Sequence, residues 1–161
     1  MYLDALSFLE DERDAWQPFE ELLALDDAAL ERPVPAAHDW SARDLMGHLV
    51  AWQEVSLAAA RELAVGERSP TFDRVDRERD ERGGEVVNGE LRREWSVLPL
   101  DEVRRRFSTV AGELRGYLTV VPETRWVKHS RHLRSFLEDT IEHYEAHRAD
   151  LDAILAAARP R

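Results

Sequence analysis

Leu100-Asp101-Glu102-Val103-Arg104-Arg105-Arg106-Phe107-Ser108-Thr109-Val110-Ala111-Gly112-Glu113-Leu114-Arg115-Gly116-Tyr117-Leu118-Thr119-Val120-Val121 carries the most regular hydrophobic period of the chain. Val103, Phe107, Val110, Leu114, Tyr117 and Val121 recur at alternating steps of four and three, which lines them along one face of an α-helix. Such a stripe buries itself against the stripes of other helices. Pro122 lacks the N–H that another turn would need, so the helix stops there. The reading is therefore all-α, and the neighbouring segments have to supply the partners.

Upstream, Val87, Leu91 and Trp95 are in phase over a short helix from Glu85 to about Trp95, and Pro99 breaks it. Before that, residues 66 to 84 are almost all polar, and Asp73 to Arg82 is nearly unbroken mixed charge running into Gly83-Gly84. This is read as a solvated crossover loop. The best-punctuated helix start lies further back. Ser41-Ala42-Arg43-Asp44 is a capping box, with Trp40 and Leu45 as its hydrophobic staple, and Gly66 ends the helix after Val65. Leu45, Leu49, Trp52, Ser56, Ala59 and Leu63 form its inward stripe, with His48 at the border. Asp26 to Asp39 reads as a connection. From Leu3 to Leu25 a helical pattern (Leu9, Trp16, Leu23) is interrupted at Pro18 by a kink or a fresh start.

Downstream, Glu123 to Ser130 connects to a last helix over Arg131 to Ala158, about 40 Å long at 1.5 Å per residue. Phe136, Thr140, His147, Ile154, Leu133 and Leu151 share its apolar face, with His143 at the edge. Four long amphipathic segments and no strands predict a four-helix bundle, folded as one domain over residues 1–161, with a long crossover between the second and third helices.

Composition narrows the function. The 161 residues contain no cysteine, which excludes disulfides, thiolate metal sites and cysteine nucleophiles. A net charge of -11 opposes binding to nucleic acid or an anionic membrane surface. No apolar run reaches the roughly 18–20 residues of a membrane span, and the start of the chain shows no signal core. A cytoplasmic, soluble protein is expected.

The chemistry concentrates in Thr140-Ile141-Glu142-His143-Tyr144-Glu145-Ala146-His147. Histidines four apart on a helix point the same way, the spacing of a paired metal ligand. With His48 facing inward from another helix, three neutral nitrogens are available. They suit zinc, nickel or iron, and they leave positions open for water or substrate. Asp139 and Asp150 either orient these rings or are ordinary surface carboxylates. Trp52, one turn beyond His48, walls a pocket or belongs to the core. Asn88 reaches a ligand or makes a helix-start hydrogen bond. Tyr144 offers a hydroxyl for acid chemistry or is a buried tyrosine with one satisfied bond. His129 and His132 form a surface metal site or stand exposed at a loop edge, and His38 lies in a connection.

His38-Asp39-Trp40-Ser41-Ala42-Arg43-Asp44-Leu45-Met46-Gly47-His48-Leu49-Val50-Ala51-Trp52 resembles the W-S-x-x-D-L-x-x-H-L-x-x-W signature of the DinB-like superfamily. That group includes YfiT-like proteins, the maleylpyruvate isomerase N-terminal type and the DfsB/ClbS type. Glu142-His143-Tyr144-Glu145-Ala146-His147 looks like the E-H-Y-x-E-H of the DfsB/ClbS branch, with Ala146 in place of an acid, and Val87-Asn88 resembles its I-N. The region after Trp126 is shorter than in that branch. The resemblance implies an up-down-down-up four-helix bundle, a metal triad on His48, His143 and His147, and a homodimer. It also implies a metal-dependent transferase or hydrolase of stress or detoxification type, acting through a low-molecular-weight thiol or water on a small electrophile. A non-catalytic bundle that binds a metal or small ligand is the alternative.

Overall fold

Ser41 and Asp44 start the helix on which most of the molecule packs. The Ser41 side chain accepts from the Asp44 N–H at 3.1 Å, and the Asp44 carboxylate accepts from the Ser41 N–H at 2.9 Å. In the computed structural model, which describes residues 2–160, this helix is the third of nine. In chain order they are α1 (Ala5–Trp16), α2 (Asp27–Glu31), α3 (Ala42–Val65), α4 (Pro70–Arg82), α5 (Gly84–Ser96), α6 (Leu100–Leu118), α7 (Ser130–Asp139), α8 (Ile141–Ala146) and α9 (Arg148–Ala158). Short 3₁₀ turns cover Gln17–Ala24, Pro35–Ala37 and Glu123–Arg125. Among the described residues the only strand-type pairing is an isolated bridge between Val34 and Trp40.

The expected bundle of four long helices in up-down-down-up order is not what forms. The fold is all-α, but the nine helices among the described residues pack in a more complex arrangement. Three departures account for the difference. The crossover is itself helical: Ser69 caps α4 by accepting from the Phe72 N–H, Pro70 opens its first turn, and Phe72 and Val75 are buried. The last helix is broken twice, at Thr140 (φ -123, ψ -99) and at His147 (φ -102, ψ 7). At the first break the Thr140 hydroxyl donates to the Phe136 carbonyl at 2.6 Å, a back-bond that bends helices. At the N-terminal end, α1 tightens into the 3₁₀ turn at Gln17, one residue before Pro18, where a change was expected.

α3 is buried nearly all round. Leu45 through Gln53 are buried without interruption, so the stripe read from sequence is one part of its contact surface. It packs against α6, α5, α4, α7, α2 and α9. Gly47 is where α5 comes closest: a Cβ there would lie 2.9 Å from the Trp95 Cβ. On α6, Val103, Phe107, Val110 and Leu114 are buried as their phase requires, but at the end Leu118 faces the core and Tyr117 is exposed. One aromatic cluster gathers around Trp16 and includes Tyr144 of α8. Trp16 stacks on Phe19 at 5.6 Å and tilts against Phe107 and Tyr144 at 4.9 and 5.0 Å. No helix among the described residues is long and apolar enough to cross a membrane.

Candidate metal centre

His48 is carried on the unbroken α3, His143 on α8, and His147 at the junction of α8 and α9. Their rings converge. Ring centroids are 4.6 Å apart for His48 and His143, 4.8 Å for His48 and His147, and 4.9 Å for His143 and His147. One nitrogen from each lies within 4.8 Å of the others, and Nε2 of His143 is 2.8 Å from Nε2 of His48.

Burial makes the His48 and His143 rings neutral donors. It is the main reason that His48 is pushed down to about 4, with the neighbouring His147 ring and Arg92 adding to it. His143 is pushed down to about 3 by burial first, then by His48, His147 and Arg79. On His147, Nδ1 meets Asp150 Oδ2 at 2.9 Å. A carboxylate can only accept, so Nδ1 carries the proton in this bond and Nε2 is the nitrogen turned to the cluster.

This donor set fits a divalent ion. Nitrogens bound tetrahedrally at about 2.0–2.1 Å stand about 3.3 Å apart, and the observed span from 2.8 Å to within 4.8 Å brackets that value. Without an ion, two neutral imidazoles in direct contact share a single proton. Nδ1 of His143 is also buried with no hydrogen-bond partner, so the cluster does not satisfy itself. Three histidines in this arrangement can chelate a metal ion.

One family model matches residues 12–152, that of the mycothiol maleylpyruvate isomerase N-terminal domain. The chain belongs to this family. No curated protein and no solved structure gives a significant match. The matched segment contains all three histidines of the cluster. Membership places the chain in the DinB-like superfamily, and it does not extend to the DfsB/ClbS branch in particular.

In this family member a cleft of about 160 Å³ opens beside the cluster, lined by Trp52, Arg79, Asn88, Glu138, Asp139 and His143. Trp52 and Asn88, both named from sequence, form one wall: the indole N–H donates to Asn88 Oδ1 at 2.9 Å. Tyr144 does not line the cleft. Its hydroxyl donates to Glu12 at 2.9 Å and accepts from Gln53 at 2.9 Å, and Glu12 is paired with Arg115 at 2.7 Å. Burial raises the Glu12 carboxyl despite Arg115, and it pushes Tyr144 well above its ordinary value. A larger groove of about 620 Å³, lined by Glu10, Arg13, Asp14, Gln17, Glu20 and Arg115, lies outside the cluster.

Some contributors were hidden from the sequence. Arg79 sits over the Trp52 ring at 4.3 Å and bonds Asp139 at 3.4 Å, but it comes from the segment expected to be a loop. Asp139 is 3 % exposed, accepts from Ser56 at 3.2 Å, and is pushed up to about 7, chiefly by burial and against the pull of Arg79. Neither Asp139 nor Asp150 is a surface carboxylate: both are buried, and Asp150 alone bonds a cluster histidine. The remaining histidines stand apart. His132 is buried, with Nδ1 2.6 Å from the Arg125 carbonyl, and His129 caps α7 by accepting from the His132 N–H. His38 lies 3.6 Å from Asp150.

Proposed function

We propose that the chain is a metal-dependent enzyme in which His48, His143 and His147 hold a divalent zinc, nickel or iron ion, and a low-molecular-weight thiol or water attacks a small electrophile in the adjoining cleft. The convergence of three imidazole nitrogens from separate helical segments, two of them kept neutral by burial, carries this reading. The ion, when bound, supplies Lewis acidity that brings a thiol or water toward its nucleophilic form near neutral pH. The family's name includes mycothiol, a low-molecular-weight thiol, which supports a thiol over water. The likeness of Glu142–His147 to the DfsB/ClbS motif supports a protective reaction on a reactive electrophile.

The chain's own residues shape the rest. Trp52 and Asn88 hold one wall of the cleft, and Arg79 gives it a fixed positive charge in a protein of net charge -11. Asp139 keeps a carboxyl there whose proton is exchangeable near neutral pH, a property suited to moving a proton during attack.

The test has two stages. Protein purified without chelator is expected to contain stoichiometric metal, and His147→Ala to lose it while keeping its helical circular dichroism. Incubation with a thiol and an epoxide or haloaromatic is then expected to give the thioether. Full metal occupancy in His147→Ala would move the site elsewhere. Bound metal with no thioether and no hydrolysis product would favour a binding protein over an enzyme.

A further inference from the structure

We propose that Asp150 and Trp40 are positioning residues for His147, fixing a ligand ring that no continuous helix holds, with a left-handed turn at His38-Asp39 serving to seat the indole. The inference rests on the metal-centre reading above and adds the residues that set its geometry.

His147 stands at the break between α8 and α9, with φ -102 and ψ 7. A ligand in an unbroken helix is steadied by the turns on either side of it, and His147 lacks that support. The break supplies a substitute. It makes His147 the residue before α9, so Asp150 falls in the first turn of that helix, where a carboxylate is also favoured by the helix dipole. From there Oδ2 reaches back to Nδ1 of His147 at 2.9 Å. The bond fixes both the tautomer and the direction in which Nε2 points, as outer carboxylates do for metal-bound histidines.

Trp40 acts on the ring faces. It lies nearly parallel to His147, with 18° between planes and 5.6 Å between centroids, and meets His48 edge-on at 70° and 5.0 Å. One indole therefore touches rings from two separate helical segments and fixes their mutual tilt of 76°. Arg92 lies over the same indole at 5.3 Å.

The connection before α3 is built to present that indole. The Val34 N–H donates to the Trp40 carbonyl at 3.0 Å, and the Trp40 N–H donates to the Ala37 carbonyl at 3.0 Å. Closing so small a loop forces His38 and Asp39 into consecutive left-handed conformations, φ 57 and φ 62. Non-glycine residues rarely adopt these angles, and such strain persists where the surroundings demand it. His38 Nε2 then lies 3.6 Å from Oδ1 of Asp150, so the turn reaches the carboxylate as well as the ring.

The test measures zinc affinity by competition with a chromophoric chelator, and the visible bands of the cobalt-loaded protein. Asp150→Asn is expected to bind zinc about 10- to 100-fold more weakly and to shift the cobalt bands, while the melting temperature of the metal-free protein changes little. Asp150→Glu should recover part of the affinity. Trp40→Ala should weaken binding, and Trp40→Phe should largely preserve it. Wild-type zinc affinity and cobalt bands in Asp150→Asn would overturn the inference while leaving the metal centre standing. Weaker binding seen only together with a lower metal-free melting temperature would also overturn it, because the role would then be structural. A wild-type protein that binds no zinc or cobalt would overturn the metal centre and this inference together.

Discussion

α3 and the α7–α9 segment both supply ligand histidines, yet they are built in opposite ways. α3 runs unbroken from a complete capping box at Ser41 to Gly66 and is buried almost all round, so His48 is placed by the same packing that stabilises the fold. The α7–α9 segment is interrupted at Thr140 and His147, so His143 rides on the short α8 between the breaks and His147 stands at the second of them. There the direction of a ring depends on side-chain partners. The comparison predicts that stability and metal binding separate by region.

The largest effect expected is that separation itself. Leu49→Ala, on the fully buried face of α3, should cost about 2–5 kcal/mol in denaturant unfolding and leave zinc stoichiometry intact in the folded protein. His143→Ala should abolish zinc binding. Its metal-free stability should stay near that of wild type, because the substitution also removes the unpartnered Nδ1. If both changes moved both quantities equally, the contrast between the regions would be lost.

Gly47→Ala sharpens the account of α3, since its new Cβ would meet Trp95 at 2.9 Å. Overpacking of this kind should cost about 1–3 kcal/mol, and a neutral result would mean that α5 is more loosely seated.

Asp139 gives a pH signature. Its carboxyl is pushed up from 3.8 to about 7, so over that window the folded chain holds a proton that the unfolded chain has released. Its contribution to stability therefore falls as pH rises from 3.8 to about 7, by at most about 1.4 kcal/mol per pH unit. Asp139→Asn should gain stability relative to wild type across that range and show a constant difference above it. An advantage of Asp139→Asn that shrank as pH rose through that range would reverse the assignment.

Smallest are the helix-end effects. Ser41→Ala should cost about 1 kcal/mol by removing the cap of α3. Thr140→Ala loses only the bond to the Phe136 carbonyl, which should cost about 1 kcal/mol or less.

What was legible in the sequence follows the same division. α3 could be read closely, because its cap, its stop and its apolar phase are all local signals, and they agree. The three histidines could be named from spacing and inward phase, since both survive a modest change in helix geometry. The breaks in the last helix could not be read. Thr140 and His147 sit in phase on the apolar stripe, and neither residue type is a helix breaker, so nothing local marks the two interruptions. α4 was hidden by its charge, although Ser69-Pro70 is a usable cap-and-first-turn signal and Phe72 and Val75 are its anchors. With α4 taken for a loop, Arg79 had no place near Trp52, and the cleft lost its cation.

The most direct test of the metal centre is a crystal of protein purified without chelator, with diffraction recorded at the zinc, nickel and iron absorption edges. The account predicts one anomalous peak at about 2.0–2.1 Å from a nitrogen of each of His48, His143 and His147. It would be contradicted by an empty cluster in which His48 and His143 keep their direct 2.8 Å contact, or by an ion held by other residues.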